Sequence, residues 1–263
     1  MLDDDDGLFP NSPRVIYERT PLRQVICQLR FPTILRITAE TPATFQEKVR
    51  RKFPIFERQA PVVEGQQLPP EIAQLIASAT GGEVSYSFRT EDSAEQMTLG
   101  KDFIALTHNS YIQWEAFRES LLLGMEALVG AYDPTSYSRI GLRYINLLKR
   151  SVLGLDGRPW SELLHERIAG ELALPWFEQA EEARRLVRLK LGDNGDQLLF
   201  QHGLDPGDAA EMCYGLDYDF YHQEKVSIDA ALPILERLHD YSGKAFRWSI
   251  AGVVHESMGP RPI

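Results

Sequence analysis

One order of elements occurs twice along this chain, and that recurrence limits the available folds more than any other feature. In the first half, Val25-Ile26-Cys27-Gln28-Leu29-Arg30-Phe31 is a β-type run stopped by Pro32. Thr41-Pro42 opens a helix with an apolar stripe of Phe45, Val49 and Phe53, and Pro54 ends it. Val84, Tyr86 and Phe88 then alternate with Ser85, Ser87 and Arg89, the period of a half-buried strand. Met97–Leu99 and Phe103–Thr107 read as two more strands around a turn at Gly100-Lys101-Asp102. Trp114, Phe117, Leu121, Met125 and Leu128 recur at helical steps, and Asp133-Pro134 closes that helix.

The second half follows suit. Ser138 to Leu148 reads as a strand, and Trp160 to Leu172 as a helix with Ser161 as candidate N-cap. Leu186 to Leu191 alternates, and Asp193-Asn194-Gly195-Asp196 is a hairpin turn because Asn-Gly accepts positive φ. Leu198–His202 and Tyr214–His222 are strands. Ile228, Ala231, Leu232, Leu235 and Leu238 mark a last long helix, in which Pro233 predicts a late start or a kink. Each half thus reads strand, helix, three strands, long helix, and Leu29-Arg30-Phe31 matches Leu142-Arg143-Tyr144. The expectation is an α+β protein of two tandem units, 21–134 and 135–263, packed as one body after an extended arm at 1–20. Its antiparallel sheets carry helices on one face. That design resembles TATA-box-binding-protein and helix-grip architectures, an analogy of fold without function. Residues 57–82, rich in Pro and Gly, read as a connector with a short helix at 71–78.

Charge narrows the function. Lys plus Arg is 28 against 38 Asp plus Glu, a net charge of −10. Such a chain is repelled by nucleic acid at long range, so that role needs a local basic face. The run Asp3–Asp6 reads as a solvated tail. No apolar run is long enough to span a membrane, and the acidic N-terminus is no secretory signal, so a cytoplasmic protein is expected. Two cysteines, Cys27 and Cys213, leave no disulfide framework and read as packing residues. Neither a G-x-x-x-x-G-K-[ST] loop, a G-x-G-x-x-G turn, an H-E-x-x-H pair nor a G-x-S-x-G elbow is present. His202 and His222 end neighbouring candidate strands, but a two-His metal site needs further ligands. Asp217 and Asp219 read as solvated carboxylates. No cofactor, metal or catalytic residue is assigned.

The candidate binding residues come from strand parity. Side chains alternate between sheet faces, so Arg30, Arg89, Arg143, Arg188 and Lys190 fall on the faces opposite the apolar positions. Val187, Leu189 and Leu191 are expected inward. Two readings stand for the cations: ion pairs with Asp217, Asp219 and Glu91, or a platform for an anionic partner. Trp176-Phe177, in a loop after Pro175, are candidate partner anchors.

The stretch Pro21-Leu22, Val25 and Leu29-Arg30-Phe31 resembles the "PL-x-x-V-x-x-x-[IL]-R-[FW]" opening of a sporadically distributed family of bacterial conserved hypothetical proteins. Further likeness runs from Tyr86-Ser87-Phe88 through Leu99 to Ile104, Tyr111 and Phe117, to Arg143-Tyr144-Ile145-Asn146 against the family's "R-Y-I-N". Lys101 stands where that family has Arg, and Thr107-His108 where it has "N-W". The resemblance implies no defined activity. Its patchy distribution implies horizontally transferred cassettes, such as phage defence or toxin–antitoxin neighbourhoods. The leading expectation is a non-enzymatic protein-binding or regulatory component of such a system, with another protein as partner. The alternatives are a nucleic-acid or nucleotide binder using the basic sheet face, and an enzyme without a recognisable motif.

Overall fold

Alternation in the sequence becomes alternation of burial. In the strand Cys213–His222, the residues Tyr214, Leu216, Tyr218 and Phe220 are buried while Gly215, Asp217 and Asp219 are not. Each buried Leu or Phe of this kind contributes about 1.5–3 kcal/mol. The computed structural model describes residues 9–59, 84–177, 180–206 and 211–262. The expected helix at 71–78 and the run Asp3–Asp6 lie outside the described residues.

The chain is α+β, with helices and antiparallel strands. Its contacts define two units, each built from separated segments. Unit 2 takes Ile26–Gly141 and Gln223–Leu232; unit 1 takes Met1–Val25, Leu142–His222 and Pro233–Ile263.

Unit 2 holds most of β2 (Leu22–Arg30), then α1 (Arg36–Ala39), α2 (Ala43–Val49), β3 (Ile55–Gln59), β4 (Ser85–Arg89), β5 (Glu95–Gly100), β6 (Phe103–His108) and α3 (Trp114–Tyr132). Its strands run in the order β3-β4-β5-β6-β2. The expected stripe on α3 is buried from Trp114 to Leu128. Gly124 on α3 leaves room for the Met97 thioether of β5. Asp133, at φ +48°, ends the helix in the left-handed region. Ser85 and Ser87 were expected on a solvated face but are each only 1% exposed. Their strand β4 pairs on both sides, with Glu57 and Thr98 opposite Ser87.

Unit 1 holds most of β7 (Arg139–Leu148), α4 (Arg150–Leu153), α5 (Trp160–Leu163), α6 (Glu166–Ala169), β8 (Arg184–Lys190), β9 (Asp196–Asp205), β10 (Cys213–His222), most of α7 (Ala231–Ser249) and α8 (Gly252–Ser257). Strand order is β7-β10-β9-β8. A separate ribbon pairs β1 (Val15–Tyr17) antiparallel with β11 (Pro260–Pro262). Polar groups stitch α7 to the buried sheet face: the Tyr218 hydroxyl donates to Ser249 Oγ at 2.7 Å, and Tyr144 Oη lies 2.8 Å from His239 Nδ1. Pro233 sits in the first turn of α7, where a missing N–H costs nothing, so the helix starts late and a 3-10 turn covers Ile228–Ala230.

The single helix expected over 160–172 is instead α5, α6 and a 3-10 turn at Gly170–Ala173. Backbone bonding is diverted: His165 N–H donates to Ser249 O at 3.0 Å and Ala251 N–H to Leu163 O at 2.9 Å. Gly170, at φ +50°, then turns the chain out of the helix. Pro159, not Ser161, caps α5.

Candidate functional site

Strand β8 starts from the turn that follows it. Gly192 and Gly195 take φ +71° and +81°, and Leu191 N–H donates to Asp196 O at 2.8 Å, closing the expected hairpin. The register sets Leu186 opposite Gln201, Arg188 opposite Leu199 and Lys190 opposite Gln197. On β10, Asp217 also lies opposite Gln201. Opposed residues share a face. Asp217 in turn accepts two hydrogen bonds from Arg143, Nε to Oδ1 at 2.8 Å and Nη2 to Oδ2 at 2.5 Å. Unit 1 therefore brings Arg143, Arg188 and Lys190 to one face, as parity implied.

Their environments differ. Arg143 is held bidentate by Asp217, both side chains less than a third exposed. In unit 2, Arg30 lies 3.7 Å from Asp102 and bonds Gln28, and Arg89 pairs with Glu57. Arg188 and Lys190 are exposed and, among the described residues, have no carboxylate partner.

β8 is the terminal strand of the order, and among the described residues no strand pairs with its outer side. Leu186 is 61% exposed, Val187 40% and Leu189 41%; only Leu191 is buried as expected. The apolar residues expected inward line an edge, which sequence alternation alone does not distinguish from an interior strand.

The backbone has a polarity too. Leu191 bonds Asp196, and Leu204 N–H donates to Ala183 O at 2.8 Å. Antiparallel pairs bond at every second residue, so Arg185, Val187 and Leu189 bond β9. Arg184, Leu186, Arg188 and Lys190 then direct N–H and C=O to the free side.

Arg185 anchors the neighbouring segment. Its guanidinium pairs with Glu171, donates to Ile168 O at 3.3 Å and fills the space a Cβ on Gly170 would need. Gly203 has no room for a Cβ against the Ala183 carbonyl, so β8 begins close upon β9. Held this way, the chain makes successive turns through Leu174 to the 3-10 turn Pro175–Phe177. Trp176 is 74% exposed there, with Leu174 and Phe177 also at the surface.

Other groups explain themselves structurally. His202 Nδ1 lies 2.8 Å from the Tyr214 hydroxyl, and burial holds its pKa down at about 4 with help from Arg185. Burial also pushes Tyr214 up to about 12. His222 meets Asp196 at 2.9 Å, and Asp196 also takes Arg237 Nε at 2.5 Å. His202 pairs with Leu216 and His222 with Asp196, so the two histidines are six residues apart along β10, about 20 Å. They do not form a site, and no metal-binding cluster occurs among the described residues. Cys27 and Cys213 are both buried outside any disulfide, and burial pushes the Cys27 thiol well up, as a packing residue requires.

Unit 2 contains a group the sequence did not reveal. An open cleft of about 730 Å³ holds Lys52, Glu95 and His108. Glu95 Oε1 lies 3.2 Å from Lys52 Nζ and 3.6 Å from His108 Nε2. His108 Nδ1 accepts from Ser110 N–H at 3.1 Å, which places its proton on Nε2. Burial first, then the Lys52 charge, lowers its pKa, against Glu95 and Asp92. Nδ1 is thereby occupied, and Nε2 faces the Glu95 carboxylate. These residues stand far apart without a telling spacing.

No protein-family model matches the chain, and no curated protein matches it. No described helix is long and apolar enough to cross a membrane.

Proposed function

We propose that the protein is a binding component that engages another protein through unit 1, using β8 and the turn Pro175–Phe177. The carrying observation is the exposure of Leu186 and Trp176 on a segment fastened by Arg185. Large apolar side chains held at a surface are the usual anchors of protein interfaces. The resemblance to sporadically distributed bacterial proteins supports a place in a multi-protein system of the defence or toxin–antitoxin kind. Buried, unbridged thiols at Cys27 and Cys213 support a cytoplasmic setting. Tandem duplication is supported by the two 19-residue helices, α3 and α7, each closing a strand series. The antiparallel strands with those helices support the TATA-box-binding-protein or helix-grip comparison. A nucleic-acid platform has less support, because Arg30, Arg89 and Arg143 already lie on carboxylates.

The test uses the full chain. A partner identified by affinity capture is purified, and its affinity is measured for the wild type and for Trp176→Ala with Phe177→Ala. The double variant should keep its melting temperature and bind at least about tenfold more weakly. Equal affinity at equal stability overturns the reading.

A further inference from the structure

The geometry points to a more specific partner, an inference that rests on the protein-binding reading above. We propose that β8 accepts an extended partner segment as an added strand, and that this segment alternates acidic with apolar residues.

Backbone and side chains argue this independently. Four residues, Arg184, Leu186, Arg188 and Lys190, offer N–H and C=O groups to the free side in the two-residue rhythm of a ladder. A seven-residue strand suffices for such addition, whereas protected edges are usually short, bulged or covered. The same four side chains share the open face, and residues of an added strand opposite them would share it too. The sequence Arg184–Lys190 carries four cations and no anion within a chain of net charge −10. Arg184 is engaged by Glu182 at 3.2 Å and Arg185 by Glu171. Arg188 and Lys190 are left to face Asp or Glu on the incoming strand. On the other face, Val187 and Leu189 call for apolar positions in between.

A second copy of the chain fits this edge poorly. Antiparallel self-pairing centred on Leu186 sets Arg184 against Arg188. Centred on Val187 it sets Arg184 against Lys190, and centred on Arg188 it sets Arg188 against itself. Like charges directly opposed destabilise a sheet.

The probe is a capped heptapeptide alternating glutamate with valine; the control alternates lysine with valine. Titrated by fluorescence anisotropy at low salt, the glutamate peptide should bind at least about tenfold tighter than the lysine peptide and weaken as salt rises. Arg188→Pro removes one outward N–H and no bond to β9, and it should abolish binding. Should that variant misfold, Arg188→Glu with Lys190→Glu should invert the preference toward the lysine peptide. Equal binding of both peptides, unchanged binding by folded Arg188→Pro, or no inversion overturns strand addition. A dimer in sedimentation that Arg188→Pro dissolves would make a second copy the added strand and would overturn the acidic partner. If the peptides fail while the Trp176 and Phe177 variant still loses its natural partner, the protein-binding reading stands without strand addition.

Discussion

Arg143 and Arg188 occupy the same face of the same strand set, yet one is part of the structure and the other is available. On the inner pair β7-β10, the Arg143 guanidinium is spanned by both oxygens of Asp217 and is only about a quarter exposed. On the terminal strand β8, Arg188 projects from a backbone whose outer groups have no strand beside them among the described residues. Strand position decides the role of the charge. An inner strand has neighbours on both sides that can bring a counter-charge into register; an edge strand has one. The same reasoning separates Leu198, buried on β9, from Leu189, 41% exposed directly opposite it on β8.

This contrast can be broken by mutation, and the largest effect is expected deepest inside. Asp196 is fully buried and held by Arg237 and His222, so Asp196→Ala strands a charge and should cost about 3–5 kcal/mol in urea unfolding. A loss under about 1 kcal/mol would show that α7 is not fastened there.

Acid should act next. His202 titrates near 6.5 unfolded and about 4 folded, so between those values the unfolded chain binds more protons. Stability is then full above pH 6.5 and falls as pH drops toward 4, by up to about 3 kcal/mol. Burial lowers His108 and His255 as well, and both add in the same direction. The His202→Gln variant should show a shallower pH dependence in the same melts, and an unchanged slope would remove His202 from the account.

Smaller effects sharpen the comparison itself. Replacing Asp217 by Ala leaves Arg143 without its bidentate partner and should cost about 2 kcal/mol. A double-mutant cycle over both residues should recover most of that loss as coupling. Arg188→Ala, by contrast, should shift stability by less than about 0.5 kcal/mol while weakening the glutamate peptide. If Arg188→Ala proves as costly as Asp217→Ala, the edge is engaged by something that keeps it from a partner.

How much of this was readable beforehand follows from which interactions are local. Parity is local, so the period-two run at Leu186–Leu191 put Arg188 and Lys190 on one face and Val187 and Leu189 on the other. Whether a strand lies inside or at an edge depends on neighbours far away in sequence, so Val187 and Leu189 share the inner face with the buried Phe200 and Leu198 yet stay partly exposed. Ser85 and Ser87 failed the other way: their polarity suggested solvent, but β4 is an interior strand. The turn at Asn194-Gly195 and the helix stop at Asp133 were legible because backbone conformation there is set by one or two residues. The break after α5 was not, since His165 and Ala251 bond residues that only the fold brings close. Trp176 stood out as an aromatic in a loop, but nothing near it in sequence foretold that Arg185 would fasten that segment through Glu171 and Ile168. The Lys52–Glu95–His108 cleft was invisible for the same reason.

Amide hydrogen exchange resolved along β8 needs no ligand and reads the open edge directly. The account predicts alternation: Arg185, Val187 and Leu189 protected by β9, with Leu186, Arg188 and Lys190 exchanging at nearly unprotected rates. Uniform protection across Arg184–Lys190 would mean that the outer side is already occupied, and it would contradict the account.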